Sequence, residues 1–355
     1  MIHDSQKLYL LKILIWFSSF VIVLFHYALW FSLDFHEKNI FIDYLVKRKE
    51  YGANFVYLYW AITGYIFISF YYLKKKIILK NYFVNIFAKY YPLHIFTLII
   101  VFIIQYLNLN LYGETQFGYA NDLYHFVLHL FFASDWGLHI NQSFNAPIWF
   151  MSILIPIFIY FFLTFKFLVK FKIFFSIFIM IFFYYFFPLV FGYQKSIFNI
   201  LACFFYFYMG ISIFFICEFK KKNKKKFQIL SIFGILISIF ALNYNKSFLS
   251  EYVNLIPSTV LLFSSLIILC QNYYIKFNKI PKKINTFIDT SYSIYLWHFP
   301  LQLFFIIMFN FLKIDLSVFK NFTYFLIFLT VLFSISVISS KKFEKPCKKL
   351  IENYF

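Results

Sequence analysis

The chain has 355 residues, of which 63% are hydrophobic, 27% aromatic and only 13% charged, and its mean hydropathy is +0.76. So little charge cannot clothe a soluble domain in a polar shell. The net charge of +19 would suit a nucleic-acid binder, but the basic residues sit in short clusters between apolar runs, as in loops held on the cytoplasmic side of a membrane.

Apolar stretches of about 20 residues recur along the chain, the length that crosses ~30 Å of hydrocarbon as a helix. Barrel strands would alternate apolar and polar residues, and these runs are solidly apolar. The pattern predicts helices over 13–33, 53–73, 90–107, 146–165, 173–191, 197–217, 227–243, 255–275, 291–311 and 321–340. The first run, from Leu8 to Leu33, is longer than a signal-peptide core and lacks a small-residue cleavage site, so it reads as a retained helix. Counted loop by loop, nearly all of the positive charge falls on alternate segments, on the side that holds both termini. That alternation predicts an all-α polytopic membrane protein with ten transmembrane helices and both termini cytoplasmic. It forms one transmembrane domain over 1–345, followed by a short cytoplasmic tail, 346–355.

The one long connection, Asn108–Asn145, belongs to the opposite, outer side, and its stretch Asp122–Ala133 is patterned as a short interfacial helix. The lysine run FKKKNKKKF (219–227) reads as a solvated loop touching anionic lipid. Cys203, Cys217, Cys270 and Cys347 form no CxxC pair and have no metal-ligand spacing, which argues against disulfides and against a cysteine-built metal site. No phosphate-binding glycine loop, GxSxG or HExxH is present.

Ionisable groups in hydrocarbon are costly, so the few histidines within the apolar runs are candidates for function. His26 belongs to the outer part of the first helix, His94 follows Pro92 at the inner start of the third, and His298 lies in the inner half of the ninth. An imidazole exchanges protons near neutral pH, which suits acyl or proton transfer. Each could instead be hydrogen-bonded for packing, and a proton-coupled transporter would use one too. Thr63–Gly64–Tyr65 places a small residue inside the second helix, where it would allow close helix packing.

Five segments together resemble the acyltransferase-3 family of membrane O-acyltransferases, in particular members that O-acetylate bacterial surface polysaccharides. VIVLFHY (21–27) resembles the family's apolar run ending in His, and NFVYLYWAITGYIF (54–67) its second-helix pattern. AKYYPLHIFTL (88–98) is similar to the R-x-Y-P-L-H segment, SFNAPIWFMS (143–152) to N-x-P-I-W-S-x-S, and TSYSIYLWHFPLQLFF (290–305) to S-Y-S-x-Y-L-x-H. The resemblance implies transfer of an acyl group, usually acetyl, from cytoplasmic acyl-CoA to a hydroxyl of a surface polysaccharide or lipid-linked glycan. The protein would sit in a bacterial inner membrane, with membrane lipids around it and without a metal or nucleic acid. By that reading His26 is the general base. Lys89 stands at a family Arg position and would bind CoA phosphates with Lys74, Lys75, Lys76 and Lys80. His298, Tyr292 and Tyr295 would line the acyl-CoA channel. Asn145 and Trp149, with Ser152 and His94, would lie toward the acceptor.

Three positions depart from the family. The Arg eleven residues before the first-helix His is Ile15 here, although Lys12 lies near the same helix face one turn lower. The carboxylate two residues after the W-S-x-S serine is Leu154, and Phe150 replaces the first serine of that segment. Arg48 is the only arginine in the chain, so Lys89 reflects a general bias that explains neither Ile15 nor Leu154. These losses favour a catalytically inactive relative as one alternative. A glycan or lipid-intermediate transporter is another; it would carry paired discontinuous helices in two related halves, and the sequence has no such internal symmetry.

Overall fold

The computed structural model describes residues 8–31, 52–72, 77–118, 120–139, 142–191, 195–219, 223–244, 255–272 and 282–355. Long apolar runs satisfy their backbone internally only as helices when no water is present. All the long elements are helical: α1 Tyr9–Trp30, α2 Gly52–Tyr72, α3 Leu79–Tyr112, a short α4 Leu123–Leu130, and α5 Trp149–Phe171. Then come α6 Ile173–Ile181, which runs on through a π-turn at Phe182–Phe186 into Phe187–Phe191, α7 Lys195–Phe219, α8 Lys224–Tyr244, and α9 Leu255–Asn272. The last four are α10 Lys282–Ile288, α11 Ser291–Phe311, α12 Phe322–Ser339 and α13 Lys345–Tyr354. No strand occurs among the described residues.

Each of the ten apolar segments expected from the sequence falls on a helix. Among the described residues, seven helices are long and apolar enough to cross a membrane, while those in 173–189 and 258–271 are apolar but shorter. The protein is a multi-pass membrane protein. Its outward faces carry large apolar side chains, such as Phe233, Leu236 and Phe240 on α8, that only lipid or another apolar surface would cover.

Helix α7 is central, packed against α2 and α6 and touching α5 and α9. Helix α11 lies against α1, α3 and α12, and α8 pairs with α9. Lipid tails are as apolar as the side chains, so packing rather than water exclusion holds such helices together. The tightest crossing is α2 on α7. A Cβ added at Gly64 would overlap the Phe207 carbonyl, and one at Gly210 would overlap the Ala61 carbonyl. The small residue in the second helix therefore serves close backbone approach. Aromatic rings fill the rest, with Phe183 on Phe204 at 3.8 Å and Phe31 on Phe319 at 3.9 Å between centroids. Buried hydroxyls find carbonyls, as where Tyr27 donates to Phe319 O at 2.6 Å and Tyr82 to Phe158 O at 2.8 Å.

Two boundaries differ from the sequence reading. The third helix starts eleven residues early, at Leu79, and ends at Gly113, which adopts φ 77° and donates its N–H to Leu109 O. Pro92 lies inside α3, not at its start; neighbouring helices in a bundle tolerate such a proline. His94 consequently sits near the middle of α3. At 34 residues, α3 is about 51 Å long and outruns the hydrocarbon, which leaves Lys80 and Lys89 on its first turns. The segment after α12 continues through a π-turn, Ser340–Glu344, into α13, which packs on α3. Glu344 fastens this end by accepting from Ser293 Oγ at 2.7 Å and Ser339 Oγ at 2.9 Å.

Candidate functional site

The apolar surroundings of α1 and α11 bring two imidazoles together. His26 Nδ1 lies 2.8 Å from His298 Nε2, with the rings stacked at 5.0 Å, and Trp30 covers both at 4.3 and 5.5 Å. His298 Nδ1 meets the Tyr295 carbonyl, which can only accept, so that nitrogen carries the proton. A neutral His298 then offers a lone pair at Nε2, and His26 Nδ1–H must be the donor to it. The proton order therefore leaves a lone pair on His26 Nε2, which has no hydrogen-bond partner among the described residues. His298 is fully buried and His26 only partly. Such a pair can take a proton at the unpartnered nitrogen and spread the positive charge toward the Tyr295 carbonyl. Gln302 steadies the helix junction by donating to His26 O at 3.1 Å, and Tyr295 OH donates to Pro147 O at 2.6 Å.

Sequence depth alone sets His298 apart from His26, with Tyr292 and Tyr295 along a channel. The helices are staggered instead. Tyr292 at the start of α11 donates to Tyr90 O on α3 at 2.9 Å, well inside that helix. Of the three residues, only Tyr292 lines the larger cavity; His298 belongs to the histidine pair and Tyr295 backs it.

That cavity, of about 490 Å³, opens at the end of the bundle where α1 begins. Lys12, Lys89, Lys345 and Lys348 line it with Tyr59, Tyr90 and Tyr292, and Ile15 shares the wall with Lys12. Lys89 donates to Tyr90 OH at 2.9 Å and lies 4.6 Å over the Tyr90 ring. Asp289 also lines the cavity and holds Lys345 at 2.9 Å. Lys80 is exposed elsewhere, and Lys74, Lys75 and Lys76 lie outside the described residues. Four ammonium groups from three separate helices outnumber the two carboxylates of the lining, Asp289 and Glu344, and Lys348 also lies 3.6 Å from Glu352. His26 is fourteen residues beyond Lys12, or ~21 Å along the helix.

The remaining candidates, His94 in α3, Asn145, and Trp149 and Ser152 in α5, lie about the Asn108–Asn145 connection. His94 Nε2 donates to His129 O at 2.7 Å, and Asn145 Nδ2 donates to Thr97 Oγ1 at 3.1 Å. Ser152 Oγ accepts the Asp135 N–H at 3.0 Å, while Ser152 O accepts from Trp136 Nε1 at 2.8 Å. His94 and Ser152 thus fasten the connection to α3 and α5. Asp122 caps α4 by accepting from His125 N at 2.9 Å. Trp149 lines a second, smaller cavity of about 160 Å³ with His129, Asp135, His139 and Asn199.

The model of a family described as an acyltransferase domain, acyltransferase-3, matches residues 11–341, nearly the whole chain. The chain belongs to the acyltransferase-3 family. No curated protein and no solved structure matches it. The family match makes the chain a membrane acyltransferase in general terms, and the histidine pair lies within the matched segment.

Within this acyltransferase-3 chain, several residues escaped the sequence reading. Lys345 and Lys348 carry no motif in the sequence, yet their i, i+3 spacing puts both on one face of α13 and into the larger cavity. Asp135, His129, His139 and Asn199 belong to no motif in the sequence either. Burial pushes the Asp135 carboxyl up to about 6, against the opposing pull of the Asn199 amide. Its folded value exceeds the unfolded one near 3.9, so the folded state holds more protons between about pH 4 and 6. Stability therefore falls as pH rises through that window. Asp135→Asn is expected to stabilise the protein by on the order of 2–3 kcal/mol at pH 8 and by little at pH 4. Thermal melting in detergent across pH checks this, and an equal gain at both ends would contradict it.

Proposed function

We propose that the protein is an acyl-CoA-dependent O-acyltransferase that moves an acetyl group to a hydroxyl of a surface polysaccharide or lipid-linked glycan. The observation that carries the reading is the Tyr295–His298–His26 hydrogen-bond chain, which ends in an unpartnered lone pair on a part-buried imidazole of an acyltransferase-3 protein. In this reading the acceptor oxygen attacks the thioester carbonyl and its proton passes to His26 Nε2. The C–S bond then breaks, and the CoA sulfur leaves as the thiol with the proton returned from His26. His298 positions His26 and shares the charge.

The larger cavity is the CoA site. Lys12, Lys89, Lys345 and Lys348 suit the phosphates of the donor, and Lys12 supplies the cation that Ile15 lacks. The alternating loop charge supports ten transmembrane helices with both termini cytoplasmic, in a bacterial inner membrane, with this cavity on the cytoplasmic side. The acceptor approaches from the opposite side, near the Asn108–Asn145 connection.

Membranes containing the protein, incubated with acetyl-labelled acetyl-CoA, are expected to label endogenous glycan above membranes lacking it. Correctly inserted protein that transfers no label would overturn the assignment and favour the inactive relative. Lys89→Ala is expected to raise the acetyl-CoA KM about 10- to 100-fold, the equivalent of one charge-assisted hydrogen bond. An unchanged KM in initial-rate measurements would remove Lys89 from the donor site.

A further inference from the structure

The smaller cavity has a lining unlike the larger one. Among the described residues its lining has no lysine or arginine, so no fixed positive charge there favours a phosphate or carboxylate. The described residues form no cluster of three or more metal-ligating groups, there or elsewhere. What it holds is one carboxylate, one amide, hydroxyls, imidazoles and an indole. Asn199 Nδ2 donates to Asp135 Oδ2 at 3.2 Å, and His139 Nε2 stands 3.5 Å from Asp135 Oδ1. His129 is 1% exposed; one ring nitrogen meets Ser143 Oγ at 3.1 Å, and the other, Nδ1, has no partner. A buried polar atom without a partner is costly unless a ligand or water supplies one.

We propose that this cavity binds one neutral sugar ring of the acceptor through adjacent hydroxyls. A carboxylate beside an amide accepts from one hydroxyl and donates to its neighbour, His129 Nδ1 serves a third, and Trp149 gives the ring an apolar wall. The volume admits a single ring and not an extended chain. The position fits, because Ala146 and Trp149 line the cavity while Pro147 between them accepts from Tyr295, which backs the histidine pair. Use of the site as the acceptor subsite rests on the acyltransferase reading; sugar binding itself does not.

The test uses the full-length protein in detergent with a panel of methyl glycosides of neutral hexoses and deoxyhexoses as probes. At least one glycoside is expected to raise the melting temperature in a concentration-dependent way. Asn199→Ala and Asp135→Asn are expected to abolish that rise. In transfer assays with the same glycoside, both variants should raise the acceptor KM tenfold or more without a matching rise in the acetyl-CoA KM. No stabilisation by any glycoside, or variants with an unchanged acceptor KM, would overturn the site while leaving the acyltransferase reading in place. Stabilisation that the variants abolish, in a protein without any acyl transfer, would leave the sugar site standing and overturn the acyltransferase reading. A like loss of glycoside response in Leu111→Ala, an exposed residue far along α3, would mark a general loss of fold and overturn the assignment to these residues.

Discussion

Acyl transfer is expected to fall by about 10²–10⁴-fold when His26 is replaced by alanine, the range over which a general base contributes. The lone pair on His26 Nε2 exists because His26 Nδ1–H donates a hydrogen bond to His298 Nε2, and His298 is itself pinned by the Tyr295 carbonyl. His298→Phe keeps a ring against Trp30 but cannot accept that hydrogen bond. It is expected to lower kcat by roughly 10- to 100-fold, by analogy with the loss of a group that orients a base, and to leave the acetyl-CoA KM near its starting value. Because the two histidines act as one unit, the double variant should be little worse than His26→Ala alone. Full activity in His298→Phe, or losses that simply multiply in the double variant, would break the proposed coupling.

The second large effect concerns the crossing of α2 and α7. Gly64→Ala and Gly210→Ala each place a methyl group on a backbone carbonyl, and a carbonyl within a helix cannot swing aside as a side-chain end can. The two helices must part, and α7 is the element on which α2, α5, α6 and α9 converge. Each alanine is expected to cost at least ~1–3 kcal/mol, the usual range for overpacking. Gly64→Leu should prevent recovery of folded protein. Thermal unfolding of purified protein is the measurement, and alanine variants that melt with the native chain would show that the crossing relaxes freely.

Much of the fold was legible because hydrocarbon imposes a simple rule. A run of about 20 apolar residues must be a helix there, and lysines concentrate on one side of the alternating loops. Neither rule depends on which helices touch. The ends were less legible. Pro92 marks a helix start in water more often than in a packed bundle, so the sequence alone hides the first three turns of α3 and sets His94 at the start of a helix in which it lies near the middle.

The candidate site divides the same way. The sequence by itself determined a multi-pass helical chain, its resemblance to acyltransferase-3, and His26, His298 and Lys89 as separate residues of interest. Only the tertiary structure decided that His26 and His298 share a hydrogen bond, since their contact across 272 residues depends on the stagger of α11 against α1. It also decided that Lys12, Lys345 and Lys348 join Lys89, and that Asp135 stands beside Asn199. The physical reason is one of range. Hydropathy and helix periodicity act between near neighbours in the chain, whereas a proton path or a polar cavity is assembled from side chains that only helix packing brings within 3 Å.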